Sequence, residues 1–214
     1  MRFEDREHAA HLLVESLGDY KDKNPLVLAV PRGAVPMAKI IADGLGGELD
    51  IVLVHKLSHP EQAELAIGAV DENGHAFISD WAADLPAEYI EAEKLRQLAQ
   101  LRERRERYTP SRPPCDPRGR IVIVVDDGVA TGSTMTAALR AVRAMNPQKL
   151  IGAVAVASRE AARAIARECD DMVCLTVPAE FYAVGQFFDD FAQVTDDDVV
   201  EVLKREGSKE TRRD

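Results

Sequence analysis

One stretch, Ile121-Val-Ile-Val-Val-Asp-Asp-Gly-Val-Ala-Thr-Gly-Ser-Thr-Met135, holds the residue types from which a phosphate and sugar site can be built. An apolar strand delivers two adjacent carboxylates, Asp126 and Asp127, at its carboxyl end. A loop of small and hydroxylic residues, Gly128, Val129, Ala130, Thr131, Gly132, Ser133 and Thr134, then runs straight into a helix. Small residues let the backbone curl so that several N–H groups point inward, the hydroxyls add donors, and the helix N-terminus adds the positive end of its dipole. That combination cradles a phosphate monoester. The carboxylates just upstream are placed to accept hydrogen bonds from the two vicinal hydroxyls of a ribose whose 5′-phosphate sits in the cradle. Two further candidates are cationic: Arg32, in Pro31-Arg32-Gly33-Ala34 after the first apolar run, and Lys56, behind the second.

Each candidate also has a plain alternative. The acidic pair can end a strand as a helix cap, Arg32-Gly33 can be a strand-to-helix turn with an exposed arginine, and Lys56 can be a surface lysine. A receiver domain would carry its acidic pair after the first strand. A dinucleotide fingerprint would need its glycines there, whereas the Gly44 to Gly47 cluster follows a helix and reads as a C-cap and turn. His8 and His11 could share a helix face as a metal pair but read better as a partly exposed helix surface, and His55 with His59 lacks a carboxylate scaffold, so no metal site is expected from protein ligands alone.

The elements that must position these groups follow from the hydrophobic period. A helix over about Asp5 to Leu17 precedes an apolar strand, Leu26 to Val30, and a helix over Val35 to Leu45. Ile51 to Val54 reads as a second strand, and Gly68 to Ile78, centred on Asn73-Gly74, as a hairpin. Ile121 to Val125, Leu150 to Ala155 and Met172 to Val177 are buried-type strands, with helices at about Thr134 to Ala144 and Glu160 to Glu168. Runs apolar on both faces imply an α/β fold: a central parallel sheet of about five strands with helices on both faces. Pro31 to Ala34, Lys56 and Asp126 to Thr134 are then expected at the carboxyl ends of strands, where ligands gather. Glu88 to Tyr108 reads as a charged, solvated helix over one sheet edge, with the stripe Ala92, Leu95, Leu98, Ala99 and Leu101, followed by a Pro-rich connector, Pro110 to Pro117. Thr195 to Arg205 reads as a last helix with Thr195 and Asp198 as its capping box. A single domain over 1–207 is expected, with a helical insertion at 79–119 and a disordered tail at 208–214.

Composition narrows the function. With 214 residues, 46% hydrophobic and 30% charged, one globular core is expected. The formal charge of −10 argues against a nucleic-acid binder, and the Arg102 to Arg107 cluster is the one place such binding could begin. The apolar runs are too short to cross a bilayer, the first residues lack an apolar signal core, and Cys115, Cys169 and Cys174 have unrelated spacings. A cytoplasmic protein without membrane attachment is expected.

The Ile121 to Met135 segment resembles the phosphoribosyl pyrophosphate signature of the type I phosphoribosyltransferases over about fifteen contiguous residues. Val30 to Pro36 looks like that family's pyrophosphate loop, and Val54 to Leu57 like the place where its next strand ends in a basic residue. Glu64 to Val70 and Phe181 to Phe191 resemble a poorly characterised branch along nearly the whole chain. The resemblance implies the type I fold with a small hood, and an enzyme that takes phosphoribosyl pyrophosphate with Mg²⁺ held mainly through that donor. It would transfer the phosphoribosyl group to a nitrogen acceptor, a nucleobase, and release pyrophosphate. Asp126, Asp127, Arg32 and Lys56 would be the catalytic groups. Gly128 to Thr134, with Pro31, Gly33 and Ala34, would bind the donor. The other reading is a non-catalytic phosphoribosyl pyrophosphate-binding regulator of nucleotide metabolism. The sequence leaves open the acceptor, a homodimer, and whether Phe181, Tyr182, Phe187 or Phe188 stacks a base. No acidic residue follows the phosphate loop where 6-oxopurine enzymes of the family commonly have one.

Overall fold

Leu26–Ala29 forms β1, the strand from which the sheet grows in both directions. All four residues are buried, which explains why the segment carries no polar alternation. Residues 1–62, 65–110 and 112–210 are described by the structure, a computed structural model. Helix α1 (Arg6–Ser16) precedes β1, with Asp5 as its N-cap accepting from His8 N at 2.8 Å. Helix α2 (Ala34–Leu45) carries the chain back from β1 to β2 (Glu48–Ile51), and Gly46 caps α2 with φ 68°, as the glycine cluster suggested. On the other side of β1 lies β6 (Ile121–Val129), followed by α4 (Ser133–Ala144), β7 (Lys149–Ala157), α5 (Arg159–Ile165) and β8 (Asp171–Thr176). The five strands are parallel in the order β2-β1-β6-β7-β8, so the chain reverses its direction of growth between β1 and β6.

Side chains alternate across this sheet and feed two cores. Val27, Ala29, Ile123, Val125 and Ile151 pack in one with α1, α2 and α6 (Asp196–Glu210). Leu28, Val124 and Val154 pack in the other with α4 and α5. Helices thus cover both faces, as expected. A single truncation such as Leu13→Ala in the first core costs about 2–5 kcal/mol.

Between β2 and β6 the chain builds a second, antiparallel sheet, β3 (Val54–Ser58), β4 (Ala66–Asp71) and β5 (Ala76–Ile78), covered by α3 (Ala87–Tyr108). This corrects three expectations. The strand expected over Ile51 to Val54 is two strands in two sheets, with Val52 and Leu53 between them. The hood is not only helical but contains this sheet and begins before residue 79. Helix α3 lies mainly against the hood sheet and α6 and reaches β2, the edge strand of the main sheet, through Arg105, and its buried face is rotated: Glu93, Gln97, Leu98 and Leu101 are inside, while Ala92, Leu95 and Ala99 are exposed. Glu93 is accommodated because it accepts from Gln97 Nε2 at 2.9 Å, from Arg96 and from Ser58 N.

The hairpin across Asn73-Gly74 is present, with Asp71 Oδ1 accepting from Asn73 N and His75 N. The reciprocal cap of Thr195 and Asp198 is also present, and α6 continues to Glu210, through positions expected in the tail. Glu64, the head of the Glu64 to Val70 stretch, and residues 211–214 of the tail lie outside the described residues. Among the described residues no helix is long and apolar enough to cross a membrane.

Candidate functional site

The turn after β1 and the acidic stretch of β6 meet where the sheet reverses its direction of growth. The Pro31–Arg32 peptide bond is cis, Arg32 is exposed and lies 3.7 Å from Asp196, and Ala34 opens α2 as a buried residue. Gly33 is pressed against Asp127: a Cβ added there would sit 2.1 Å from Asp127 Oδ2 and 2.9 Å from its Cγ. The predicted pyrophosphate loop and acidic pair are therefore in direct contact, in the crevice where an open α/β sheet takes its ligands.

The acidic residues occupy the body of the strand and not its end, because β6 stays paired with β7 through Asp126, Gly128 and Val129. The two carboxylates part company. Asp126 is in register with Val154, which belongs to the core beneath α4, and its Oδ1 accepts from Asp127 N at 2.9 Å. Asp127 Oδ2 accepts instead from Arg6 Nε of α1 at 2.8 Å. Burial pushes the Asp126 carboxyl well above the usual carboxylate range, and the neighbouring Asp127 charge pushes the same way. Burial also raises Asp127, against the pull of Arg6.

Ala130 and Thr131 follow the strand, and Gly132 turns the chain into α4 at φ 86°, a left-handed conformation that costs glycine nothing. Thr131, Ser133 and Thr134 are exposed; Gly132 offers α4 no side-chain cap, and Thr131 Oγ1 accepts from Ser133 N at 3.5 Å. The first-turn N–H groups of α4 face the loop with the helix dipole behind them. Gly128 serves a different contact: a Cβ there would lie 2.3 Å from Val184, so the 183–187 turn can close over the strand only because residue 128 is glycine.

Lys56 does not end a core strand. It is exposed in the middle of β3, opposite Ala69 of β4. It nevertheless comes near the start of α4, since it lines a cavity of about 300 Å³ together with Ser133 and Thr134. A second cavity of about 270 Å³ adjoins it between the hood sheet and α4.

Of the aromatic candidates, Phe187 and Phe188 are core residues, Phe188 stacking on Phe191 at 4.9 Å between centroids. Phe181 is half-buried against Phe187, and Tyr182 is 83% exposed. The Arg102 to Arg107 cluster is partly consumed within the fold: Arg105 bonds Asp50, Glu72 and Ile51 O, and Arg107 pairs with Asp196 and Asp197. Arg6 is the site residue that sequence reasoning missed. Nothing in its neighbourhood distinguishes it from any polar residue at the start of a helix.

Known proteins share this fold. The crystal structure of a Thermus thermophilus protein is 44% identical and superposes with a TM-score of 0.88, over 96% of this chain and 99% of that one. Curated proteins from two strains of Mycobacterium tuberculosis are each described as a "putative phosphoribosyl transferase" and are 39% identical over 206 residues. That match covers 95% of this chain and 46% of each relative, so the chain spans about half the length of the curated relatives it matches. The family model for the phosphoribosyl transferase domain matches residues 4–190, and the chain belongs to that family.

Proposed function

We propose that the chain binds Mg-phosphoribosyl pyrophosphate and transfers its phosphoribosyl group to a nitrogen acceptor of the nucleobase class, releasing pyrophosphate. The observation that carries this reading is the contact of Gly33 with Asp127. It joins the turn bearing Arg32 to the acidic pair, whose strand leads into the N-terminus of α4, and these three elements suit the pyrophosphate, the ribose hydroxyls and the 5′-phosphate of that donor.

In this reading the loop from Ala130 to Thr134 holds the 5′-phosphate through backbone N–H groups and hydroxyls. Asp126 faces the ribose hydroxyls and favours positive charge on the ring, while Asp127 supports the turn that carries Arg32. Arg32 and Lys56 take up charge on the departing pyrophosphate. Departure ahead of bond formation leaves an oxocarbenium-like sugar, so the protein contributes by holding the reactants in line and by preorganised charge rather than by covalent attack. Among the described residues no group of three or more His, Cys, Asp or Glu side chains is arranged to hold a metal. The donor set fits an ion that prefers water and phosphate oxygens and comes in on the donor. Asp126 would be the acidic group nearest its water shell, and the ion would neutralise pyrophosphate charge.

A ligand that binds only the folded protein stabilises it by RT ln(1 + [L]/Kd), about 2.7 kcal/mol at a hundredfold excess over Kd. Thermal melting with phosphoribosyl pyrophosphate and Mg²⁺ should therefore raise the midpoint by several degrees, and an unchanged midpoint at millimolar donor overturns the proposal. Pyrophosphate release with a panel of nucleobases then separates transfer from the regulator reading, in which donor is bound but never consumed.

A further inference from the structure

We propose that Arg6 is a positioning residue for donor binding, acting through Asp127; this rests on the proposed function above. Arg6 is the first residue of α1 and lies 121 positions from Asp127 in the chain. Three contacts fix its guanidinium. Nε donates to Asp127 Oδ2 at 2.8 Å, Nη1 donates to Ala192 O at 2.7 Å, and the plane lies over the Phe191 ring at 3.8 Å from its centroid. The backbone on each side is tied as well, since Phe3 N donates to Phe187 O, Asp189 N to Phe3 O and Asp190 N to Glu4 O.

Arg6 and Asp127 side chains are only 14% and 13% exposed. Stacked, bonded and covered, Arg6 is not a group that meets a ligand itself. Its effect reaches the site through the carboxylate it holds. Asp127 Oδ2 occupies the space a side chain at residue 33 would need, and Arg6 Nη2 is 3.2 Å from that same point. The guanidinium thereby sets where the Asp127 carboxylate rests, and that carboxylate forms the floor of the turn carrying Arg32. Charge is matched in the same step: Arg6 supplies the positive partner for one of two adjacent, largely covered carboxylates. Arginine suits the task better than lysine, because the planar fork bonds and stacks at once.

The test is donor affinity by calorimetry, in the presence of Mg²⁺, for the parent, Arg6→Gln, Arg6→Lys and the double variant Arg6→Gln/Asp127→Asn, each checked by thermal melting. Arg6→Gln is expected to lose about tenfold or more in donor affinity, a charge-assisted bond's worth. Arg6→Lys, which restores the charge but not the stacked fork, should recover only part of that loss, and the double variant should bind no worse than the weaker of its two parents, because both substitutions break one device. A merely structural tie would lower the melting midpoint of Arg6→Gln and leave the donor affinity of the folded protein alone. Parental or improved affinity in Arg6→Gln overturns the inference while the proposed function stands. Absence of donor binding by the parent overturns both. Where Arg6→Gln folds poorly, Phe191→Leu reads the same coupling by removing the ring beneath the guanidinium: weakened donor binding supports the inference, and parental binding overturns it.

Discussion

Replacing Gly33 by alanine tests the contact on which the site depends, and the sign of its effect follows from the geometry. Gly33 has φ −55° and ψ −33°, an ordinary right-handed conformation, so alanine meets no backbone strain. Restricting the unfolded chain would by itself stabilise the protein by about 0.4–1 kcal/mol. Against that stands a Cβ 2.1 Å from Asp127 Oδ2, well inside van der Waals contact. The carboxylate cannot swing aside freely, because Arg6 Nε holds it at 2.8 Å in a largely covered position. Overpacking of this kind costs about 1–3 kcal/mol. The net expectation is a loss of about 1–2 kcal/mol, which lowers the melting midpoint by about 2–8 °C in a chain of this size, together with a marked loss of donor affinity as the Arg32 turn is pushed off its seat. Gly18→Ala is the control, because nothing lies within 4 Å of the added Cβ, and it should melt at or above the parent. Adding Gly33→Ala to Asp127→Ala should cost no further stability, since the colliding oxygen is gone. Calorimetric melting and donor titration of these variants beside the parent decide the matter. A Gly33→Ala protein that melts at or above the parent and takes up donor with parental affinity refutes the contact.

Two further substitutions separate stability from function. Asp126→Asn keeps the shape of a side chain whose charged form is disfavoured by burial and by Asp127. A raised folded-state pKa means that the folded protein holds the proton more tightly than the unfolded chain, so this group's contribution to stability is fully present below the ordinary carboxylate range and is lost as pH rises through the folded value. The variant should therefore be more stable than the parent at neutral pH, by about 1–4 kcal/mol for like charges a few Å apart. That advantage should disappear toward about pH 3, below the ordinary carboxylate pKa, while donor binding is lost throughout; a parent that gains on the variant as pH rises contradicts this. Thr134→Asp puts a negative charge in the first turn of α4, where there is none, and the dipole welcomes it by about 0.3–1 kcal/mol. Stability should hold or rise while donor affinity collapses, and parental affinity in a titration would mean that the phosphate lies elsewhere.

The parts of the fold that the sequence made legible are those in which neighbours in the chain are also neighbours in space. Buried parallel strands announce themselves as apolar runs, and helices such as α1, α5 and α6 carry their own N-caps, Asp5, Ser158 and Thr195. β2 escapes that reading for a reason that can be named. Its third residue, Asp50, is only 1% exposed, and it is accommodated by Arg105 Nη1 at 2.8 Å, Arg112 Nη2 at 3.0 Å and Cys115 N at 2.9 Å. These partners lie 55, 62 and 65 positions away, far beyond any local pattern. A carboxylate inside a strand looks like a boundary until its distant partners are known. The same arginine, Arg105, explains α3, whose inward face is partly ionic and so leaves only a thin apolar stripe.

The site divides along the same line. The loop from Gly128 to Thr134 was legible as a strand, a glycine turn and a helix N-terminus because all three lie within about fifteen residues and need no partner from elsewhere. What could not be read was the inequality of the two aspartates. As neighbours in sequence they present one motif, yet one is in register with the core beneath α4 while the other is held from α1 by Arg6. Burial pushes both carboxyls toward their neutral forms. A cation brought from α1, 121 positions away, opposes that push at Asp127 alone, and the absence of a side chain at Gly33 makes the room in which the pair is built.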